Sequence, residues 1–223
     1  MLINLRNALM AGKRTPTAKD YVQNGLVAMW DGIENAGWGV HDASATTWED
    51  LVGQHDLTIY GPQASWGDSC FNFDGDDGYA QGPAVSGVVY CEACCGISAG
   101  RWMYQLGLAN FAVLRVDRQY LIATSTNQTG AGEQYPVPHN DGTPFVAGYN
   151  YSTNKWAING AVVNGEAYSD QWNNGNYTAI GRRASGSYVG TGRMCCLRAY
   201  SRALTADEIA RNYRVDKARF NLP

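Results

Sequence analysis

Short strand-like runs of apolar residues, some of them alternating with polar ones, recur along most of the chain. Three of these runs are GLVAMWD from Gly25, which is apolar throughout its centre, SCFNF from Ser69, which alternates, and NYTAIGRR from Asn176. Glycine, asparagine and aspartate interrupt these runs about every 8 to 12 residues, a spacing typical of antiparallel sandwiches and barrels. Because alternation places every second side chain on the same face of a strand, the pattern predicts an all-β, two-sheet antiparallel sandwich.

One segment, ALTADEIARNYRV from Ala203, has helical signals instead. Thr205 followed by Glu208 is a capping box, in which each side chain satisfies a backbone N–H group at the start of a helix. Ile209 and Tyr213 are four residues apart and therefore share one face. We predict a short helix that is capped by Thr205 and packs on a sheet.

The signals divide the chain into three parts. Residues 1–22 form an N-terminal arm with a weak helical pattern at its start, 23–204 form one β-sandwich, and 205–223 form the capped helix and a tail packed on the sandwich. Within the sandwich, Asn159-Gly160 predicts a tight hairpin turn, because this pair adopts the positive φ angles that such turns need. A length of 223 residues suits one large all-β domain.

Composition narrows the classes of function. With 45% hydrophobic residues the chain can bury a substantial core, and its net charge of −3 disfavours a nucleic-acid partner. No apolar stretch approaches the roughly 18 residues of a membrane helix, and we find no secretory leader, so we expect synthesis in a cytoplasm without membrane insertion. Basic residues near both ends either dock a partner or are solvated: Arg6, Lys13, Arg14, Lys19, Arg211, Arg214, Lys217 and Arg219.

Six cysteines lie within or beside apolar runs: Cys70, Cys91, Cys94, Cys95, Cys195 and Cys196. Free buried cysteine behaves as a small hydrophobe, so we expect reduced thiols in a core. A bridge between the two Cys-Cys runs and a metal site at the Cys-x-x-Cys spacing of Cys91 and Cys94 are the alternatives. A zinc knuckle needs a second pair of correctly spaced ligands, which the sequence lacks.

Several phrases follow one order along the chain: TTWEDLVGQHDLTIYG from Thr46, CFNFDGDDGYAQG from Cys70, and KWAINGAVVNGE from Lys155. They precede a closing module with an Ile-Gly-Arg strand, a long strand ending in Tyr-x-Arg-Ala-Leu, and the capped helix. Together these phrases resemble the laminin-G-like or concanavalin A-like jelly-roll domains of bacterial and phage proteins. The resemblance covers about residues 23 to 220.

The resemblance implies two curved antiparallel sheets with one concave face. Many relatives bind glycans or proteins, often with calcium, and some are glycosidases. Glycoside hydrolysis needs two carboxyl groups at a defined separation. The glycosidases of this fold carry them in a Glu-x-Asp-x-x-Glu pattern on one strand, which this chain lacks. We therefore expect no catalytic residues, and a glycoside hydrolase remains a minority alternative.

The turn DGDDG carries three carboxylates, Asp74, Asp76 and Asp77. Calcium takes six to eight oxygen ligands from carboxylates, carbonyls and waters, so this turn is a candidate calcium site. Aspartate and glycine are also ordinary turn residues, and a solvated turn is the alternative.

Sugar rings present apolar C–H faces to aromatic side chains, while amide and carboxylate groups hydrogen-bond to the hydroxyls. Trp172 is the strongest candidate for an exposed sugar platform, because polar residues surround it in the sequence. The full set of candidate ligand-binding residues is Trp172, Asn173, Asp170, Trp102, Tyr104, Tyr149 and Tyr151. Each aromatic residue has core packing as its alternative.

These observations favour a non-catalytic recognition module that binds surface glycans. We expect it to be displayed on a bacteriophage particle, as a capsid decoration or fibre protein, and to form a homo-oligomer, because several weak sites on one assembly gain avidity. A purely structural decoration protein without a ligand is the alternative.

Overall fold

The computed structural model describes residues 14–74, 77–98, 104–105, 113–117, 120–124, 132–139, 141–168, 177–181 and 191–223. Its first strands are β1 (Leu26–Asp31), β2 (Thr47–Trp48), β3 (Leu57–Tyr60), β4 (Ser65–Trp66), β5 (Phe71–Asp74) and β6 (Tyr79–Pro83). The next are β7 (Tyr90–Ser98), β8 (Tyr104–Gln105), β9 (Val113–Asp117), β10 (Tyr120–Thr124), β11 (Gly132–Pro136) and β12 (Asp141–Asn150). The last are β13 (Lys155–Ile158), β14 (Ala161–Val163), β15 (Glu166–Tyr168), β16 (Tyr177–Ile180) and β17 (Thr191–Tyr200). A 3₁₀ turn spans Ala18–Asp20, and helix α1 spans Ala206–Phe220.

Within the described residues, the strands form three antiparallel sheets. The largest has eight strands in the order β14-β13-β12-β7-β17-β5-β4, with β1 also paired to β17. A five-stranded sheet has the order β2-β3-β6-β16-β8, and a four-stranded sheet has the order β15-β11-β10-β9. The predicted all-β sandwich with a C-terminal helix is confirmed.

The eight-stranded sheet is buried on both faces. One face carries Phe71, Phe73 and Leu197, which pack in a core with side chains of the two smaller sheets such as Leu57 and Leu121. The other face packs against the N-terminal arm and α1 in a second core. That core includes Tyr21, Cys94, Tyr200, Ile209 and Phe220. Because β7 lies in the middle of this sheet, its sequence is apolar on both alternating faces rather than on one.

The helix begins where the capping box predicts. The Thr205 side chain accepts a hydrogen bond from the Glu208 backbone N–H, and the Glu208 carboxylate accepts one from the Thr205 backbone. Ile209 is buried in the second core, as its predicted apolar face requires. The predicted hairpin at Asn159-Gly160 joins β13 to β14, and both residues have positive φ angles.

The cysteines correct one expectation. Cys70 and Cys195 form a disulfide across 125 residues of sequence, so reduced thiols were the wrong prediction for these two. The pairing of β5 with β17 brings them together, and no local pattern shows that pairing. The other four, Cys91, Cys94, Cys95 and Cys196, are buried thiols, as expected.

Other predictions fall partly outside the described residues. The weak helical pattern at the start of the chain lies in 1–13, so the division of the chain at residues 22 and 204 stays a prediction. Among the described helices, none has the length and apolarity needed to cross a membrane.

Candidate functional site

The predicted ligand-binding residues lie in different parts of the chain. Trp172, Asn173, Asp170 and Trp102 fall outside the described residues. Tyr104 lies in β8, where it pairs with Ile180 of β16. The assignments of these five residues stay predictions.

Tyr149 and Tyr151 come together with Trp156 where β12 turns into β13. The ring of Tyr149 lies 4.9 Å from that of Tyr151 and 4.9 Å from that of Trp156. Tyr149 is 3% exposed and Trp156 is fully buried, so both rings belong to the core between the sheets. Tyr151 is half-buried and packs against the edge of this core.

An exposed aromatic surface lies elsewhere, on the five-stranded sheet. Tyr60 of β3 and Tyr79 of β6 are directly opposite in register, and their rings stack with centroids 4.8 Å apart and planes 14° apart. Leu57 and Ile59 of β3 point into the core, so alternation directs Tyr60 away from it. Tyr60 is 43% exposed. We call these two residues the tyrosine platform.

A carboxylate lies beside the tyrosine platform. Gly61, which follows Tyr60, packs so closely on Asp77 that a Cβ atom there would lie 2.2 Å from the Asp77 carbonyl oxygen and 2.8 Å from its carboxylate. Gly61 also has a φ angle of +81°, which side chains rarely adopt. The glycine therefore lets the turn before Tyr79 approach Tyr60, and it places the exposed carboxylate of Asp77 at the end of the platform.

A groove of about 320 Å³ lies on the other side of β3 from the platform. Its walls include Ile59 and Gly61, the neighbours of Tyr60, together with the half-buried indole of Trp66 and the hydroxyls of Ser44 and Ser65. The Trp66 indole N–H donates to the Ala45 carbonyl at 2.9 Å, and its ring packs edge-on against Trp48 at 5.0 Å. These contacts fix the ring of Trp66 in the groove wall.

A larger cleft, of about 540 Å³, lies between one end of the eight-stranded sheet and the residues that follow α1. We call it the Arg193 cleft, after the one cationic side chain among the described residues that line it. Its other lining residues are Asn72, Phe73, Gly96, Asp141, Gly142, Thr143, Pro144, Thr191, Gly192, Asn221 and Pro223.

Among the described residues, the carboxylates that lie close to one another are in neither cleft. Arg198 of β17 donates to Glu92 at 3.0 Å and to both oxygens of Asp216 at 2.7 and 2.6 Å, and all three side chains are buried under α1. The guanidinium also lies 4.0 Å from the ring centroid of Tyr21, whose hydroxyl donates to Asp216 at 2.7 Å. Burial raises the pKa of Glu92.

A second buried pair of acids shares Arg219. This arginine donates to Asp31 at 2.7 Å and to Glu34 at 3.1 Å, and Glu34 also accepts from the backbone N–H of Ala18 in the arm. Burial raises the pKa of Asp31 to about 6, against the lowering effect of Arg219. Sequence reasoning missed both networks, because their members are far apart in the chain and alternate with apolar residues. They fasten the arm and helix to the sheet.

The candidate calcium residues are only partly placed. Asp74 ends β5 opposite Thr191, Asp77 lies beside Gly61, and Asp76 is outside the described residues. Within the part of the chain that the structure describes, no three carboxylate, imidazole or thiol side chains converge on one point. The described residues alone therefore do not form an ion cage.

Comparisons with known proteins agree on the fold. A laminin G-type family model, described as "Concanavalin A-like lectin/glucanases superfamily", matches residues 95–210. No curated protein sequence matches this chain.

Among solved structures, Trypanosoma rangeli sialidase in complex with sialic acid has a TM-score of 0.58 at 16% identity, over 92% of this chain and 34% of the sialidase. The receptor-binding domain of botulinum neurotoxin C/D mosaic serotype has a TM-score of 0.60 at 10% identity, over 85% of this chain and 51% of that one.

A third structure concerns the cell entry of botulinum neurotoxin type C, which depends on interaction with two ganglioside molecules. It has a TM-score of 0.58 at 8% identity, over 85% of this chain and 51% of that one. This chain thus spans about a third of the sialidase and half of the neurotoxin chains. At these identities the likeness shows the fold alone.

Proposed function

We propose, from the fact that this chain belongs to the concanavalin A-like lectin/glucanases superfamily, that it is a non-catalytic carbohydrate-binding module. The observation that carries the proposal is the tyrosine platform, a pair of stacked rings on the solvent side of a sheet with a carboxylate at its end. The named ganglioside interaction of a neighbour with the same fold agrees with this class of ligand.

The platform offers what a sugar ring needs. The exposed ring of Tyr60 provides an apolar plane for C–H groups, and its phenol can hydrogen-bond to a hydroxyl. Stacking on Tyr79 fixes the orientation of Tyr60, so little side-chain freedom is lost when a ligand binds. The exposed Asp77 carboxylate can accept hydrogen bonds from sugar hydroxyls.

The non-catalytic part of the proposal is supported by the placement of the described acids. The closely paired carboxylates, Glu92 with Asp216 and Asp31 with Glu34, are each bound to an arginine and sealed under the arm and helix. Neither pair faces a cleft in which a glycosidic bond and a water molecule could meet.

The test is binding on a glycan array, followed by titration with the best glycan. We expect Tyr60→Ala to weaken binding at least tenfold. Tyr120→Ala is the matched control, because Tyr120 is a similarly exposed tyrosine, at 36%, on the four-stranded sheet. It should change affinity less than twofold. Absence of binding to every glycan would favour the purely structural alternative, and release of sugar from a bound glycan would favour a hydrolase.

Two finer parts of the proposal concern the setting of the module. We place it on a bacteriophage particle, made in the cytoplasm and then exposed as a homo-oligomer, because a shallow platform binds one sugar weakly and needs several copies for avidity. The Cys70–Cys195 disulfide agrees with a final location under oxidising conditions. The mass of the protein in solution tests the oligomer.

Calcium binding by the turn at Asp74, Asp76 and Asp77 is likewise a proposal. It rests on the composition of the turn, which offers carboxylates and glycine carbonyls of the type that calcium prefers. The melting temperature with calcium and with a chelator tests it, and an unchanged value would contradict it.

A further inference from the structure

We infer that the Arg193 cleft is a second ligand site, which binds an acidic sugar through its carboxylate. This inference takes its ligand class from the proposed carbohydrate function, but it concerns a different face of the molecule. It depends on the contacts of the Arg193 guanidinium, on the polar residues that line the cleft and on the volume of the cleft.

Two glycines make the floor of the cleft. The side chain of Arg193 in β17 crosses β7 at Gly96 and donates from Nη2 to the Gly142 carbonyl of β12 at 2.7 Å. A Cβ atom at Gly96 would lie 2.9 Å from Arg193 Nε and 2.5 Å from the Gly142 oxygen. Gly142 itself has a φ angle of +87°. Any larger residue at 96 would displace the guanidinium, so the two glycines are what allow it to lie across the sheet.

Among the arginines whose burial the structure describes, Arg193 differs from the other partly or fully buried ones in having no described acidic partner. Arg198, Arg202 and Arg219 each contact a carboxylate at 3.0 Å or less. Arg193 contacts a carbonyl instead, and of its five N–H groups one is used among the described residues. The remaining donors match the two oxygens of an incoming carboxylate, which arginine binds in a bidentate manner.

The acid in the same cleft restricts the kind of anion. Asp141 accepts hydrogen bonds from the Thr143 backbone and side chain, which lower its pKa and keep it ionised. The Pro223 oxygen, at the edge of the cleft, accepts a hydrogen bond from Lys217 at 2.6 Å. A bare anion would meet repulsion from Asp141. A sugar acid fits better, because its hydroxyls donate to Asp141 while its carboxylate binds Arg193.

The remaining walls suit a sugar in size and chemistry. Asn72, Thr143, Thr191 and Asn221 supply amide and hydroxyl groups, and Pro144 supplies an apolar surface. A volume of about 540 Å³ lies within the range of small-molecule sites, roughly 300 to 1,000 Å³. The cleft therefore has space for a sugar acid and part of the next residue.

The experiment is an NMR titration of the full chain with glucuronate, glucose and acetate, in which the side-chain Nε–H signal of Arg193 is followed. We expect the change in this signal to give a dissociation constant for glucuronate at least tenfold lower than for glucose or acetate. Arg193→Gln should remove the binding of glucuronate, and Arg193→Lys should restore only part of it, since lysine keeps the charge without the fork. The matched control is Arg214→Gln, an exposed arginine on α1, which should bind glucuronate as the parent does.

The outcomes separate this inference from the proposed function. If neutral glycans bind at Tyr60 and glucuronate leaves the Arg193 signal unchanged, the inference is overturned and the tyrosine platform is unaffected. Glucuronate binding at Arg193 without any effect of Tyr60→Ala on glycans would support the inference and contradict the platform. Equal binding of acetate and glucuronate would also overturn it, because the sugar hydroxyls would then contribute nothing.

Discussion

At the scale of residues, the molecule assigns charged side chains to two different tasks. Arg198 and Arg219 are buried with acidic partners and hold the back of the sheet together. Arg193 is half-buried without an acidic partner among the described residues. Arginine is therefore structural in two places and, in our proposal, available to a ligand in a third. The two structural arginines lie at the contact between α1 and the sheet, where Arg198 of β17 binds Asp216 of α1, and Arg219 of α1 binds Asp31 of β1.

The Asp31 carboxyl gives a prediction about pH. Its pKa of about 6 in the folded protein lies above the ordinary value of 3.8, because burial outweighs Arg219, and its Oδ2 atom has no hydrogen-bond partner among the described residues. The folded state therefore keeps its proton between pH 4 and 6, where the unfolded chain releases it. The stabilising effect is complete below pH 4 and is lost as the pH rises through 6.

We expect the free energy of unfolding of the parent to fall, relative to Asp31→Asn, by roughly 2 to 3 kcal/mol between pH 4 and pH 7. Asparagine imitates the protonated acid at every pH, so the variant is the reference against which the pH dependence of the parent is measured. Urea unfolding at several pH values measures the difference. A difference that grew in favour of the parent as the pH rose would show that the ion pair with Arg219 dominates instead.

At the scale of elements, local signals were enough to predict some features and not others. The start of α1 followed from Thr205 and Glu208, because a capping box involves residues within one helical turn. The β13–β14 hairpin followed from Asn159-Gly160 for the same reason. The tyrosine platform did not follow, because Tyr60 meets Tyr79 only through the register of β3 and β6. The Arg193 cleft likewise depends on the order of β12, β7 and β17 in the sheet.

The disulfide between the start of β5 and β17 leads to the next prediction. It closes a loop of 125 residues, and a crosslink of that length stabilises a folded protein by about 2 to 4 kcal/mol, mainly by restricting the unfolded chain. We expect a reducing agent to lower the melting temperature of the parent. It should have no effect on the double variant Cys70→Ala with Cys195→Ala. The variant Cys196→Ala, which removes a free buried thiol, controls for lost packing and should keep the response to reduction.

At the scale of the whole molecule, the arm and α1 belong to the same folded unit as the sheets. The Val22 backbone donates to Asn212 at 2.9 Å, and Asn212 in turn donates to Tyr200 at 2.9 Å and contacts Glu92. Arm, helix and sheet thus share one hydrogen-bond network. This arrangement also leaves both candidate ligand surfaces, the platform and the Arg193 cleft, on parts of the sandwich that α1 does not cover.

A chain that ends at Leu204 should therefore fail to fold, although the sandwich defined from the sequence would be complete. Without α1, Arg198 and Glu92 would lose their partners Asp216 and Asn212, and the apolar side chains of the second core would be exposed. Breaking a buried ion pair on one side costs about 3 to 5 kcal/mol, so the full-length variant Asp216→Asn should be destabilised by up to this amount yet still unfold in one cooperative transition. Circular dichroism with thermal unfolding compares the two proteins. A truncated chain with a sharp transition near that of the parent would mean that the helix is an appendage, and that the buried charges beneath it tolerate solvent.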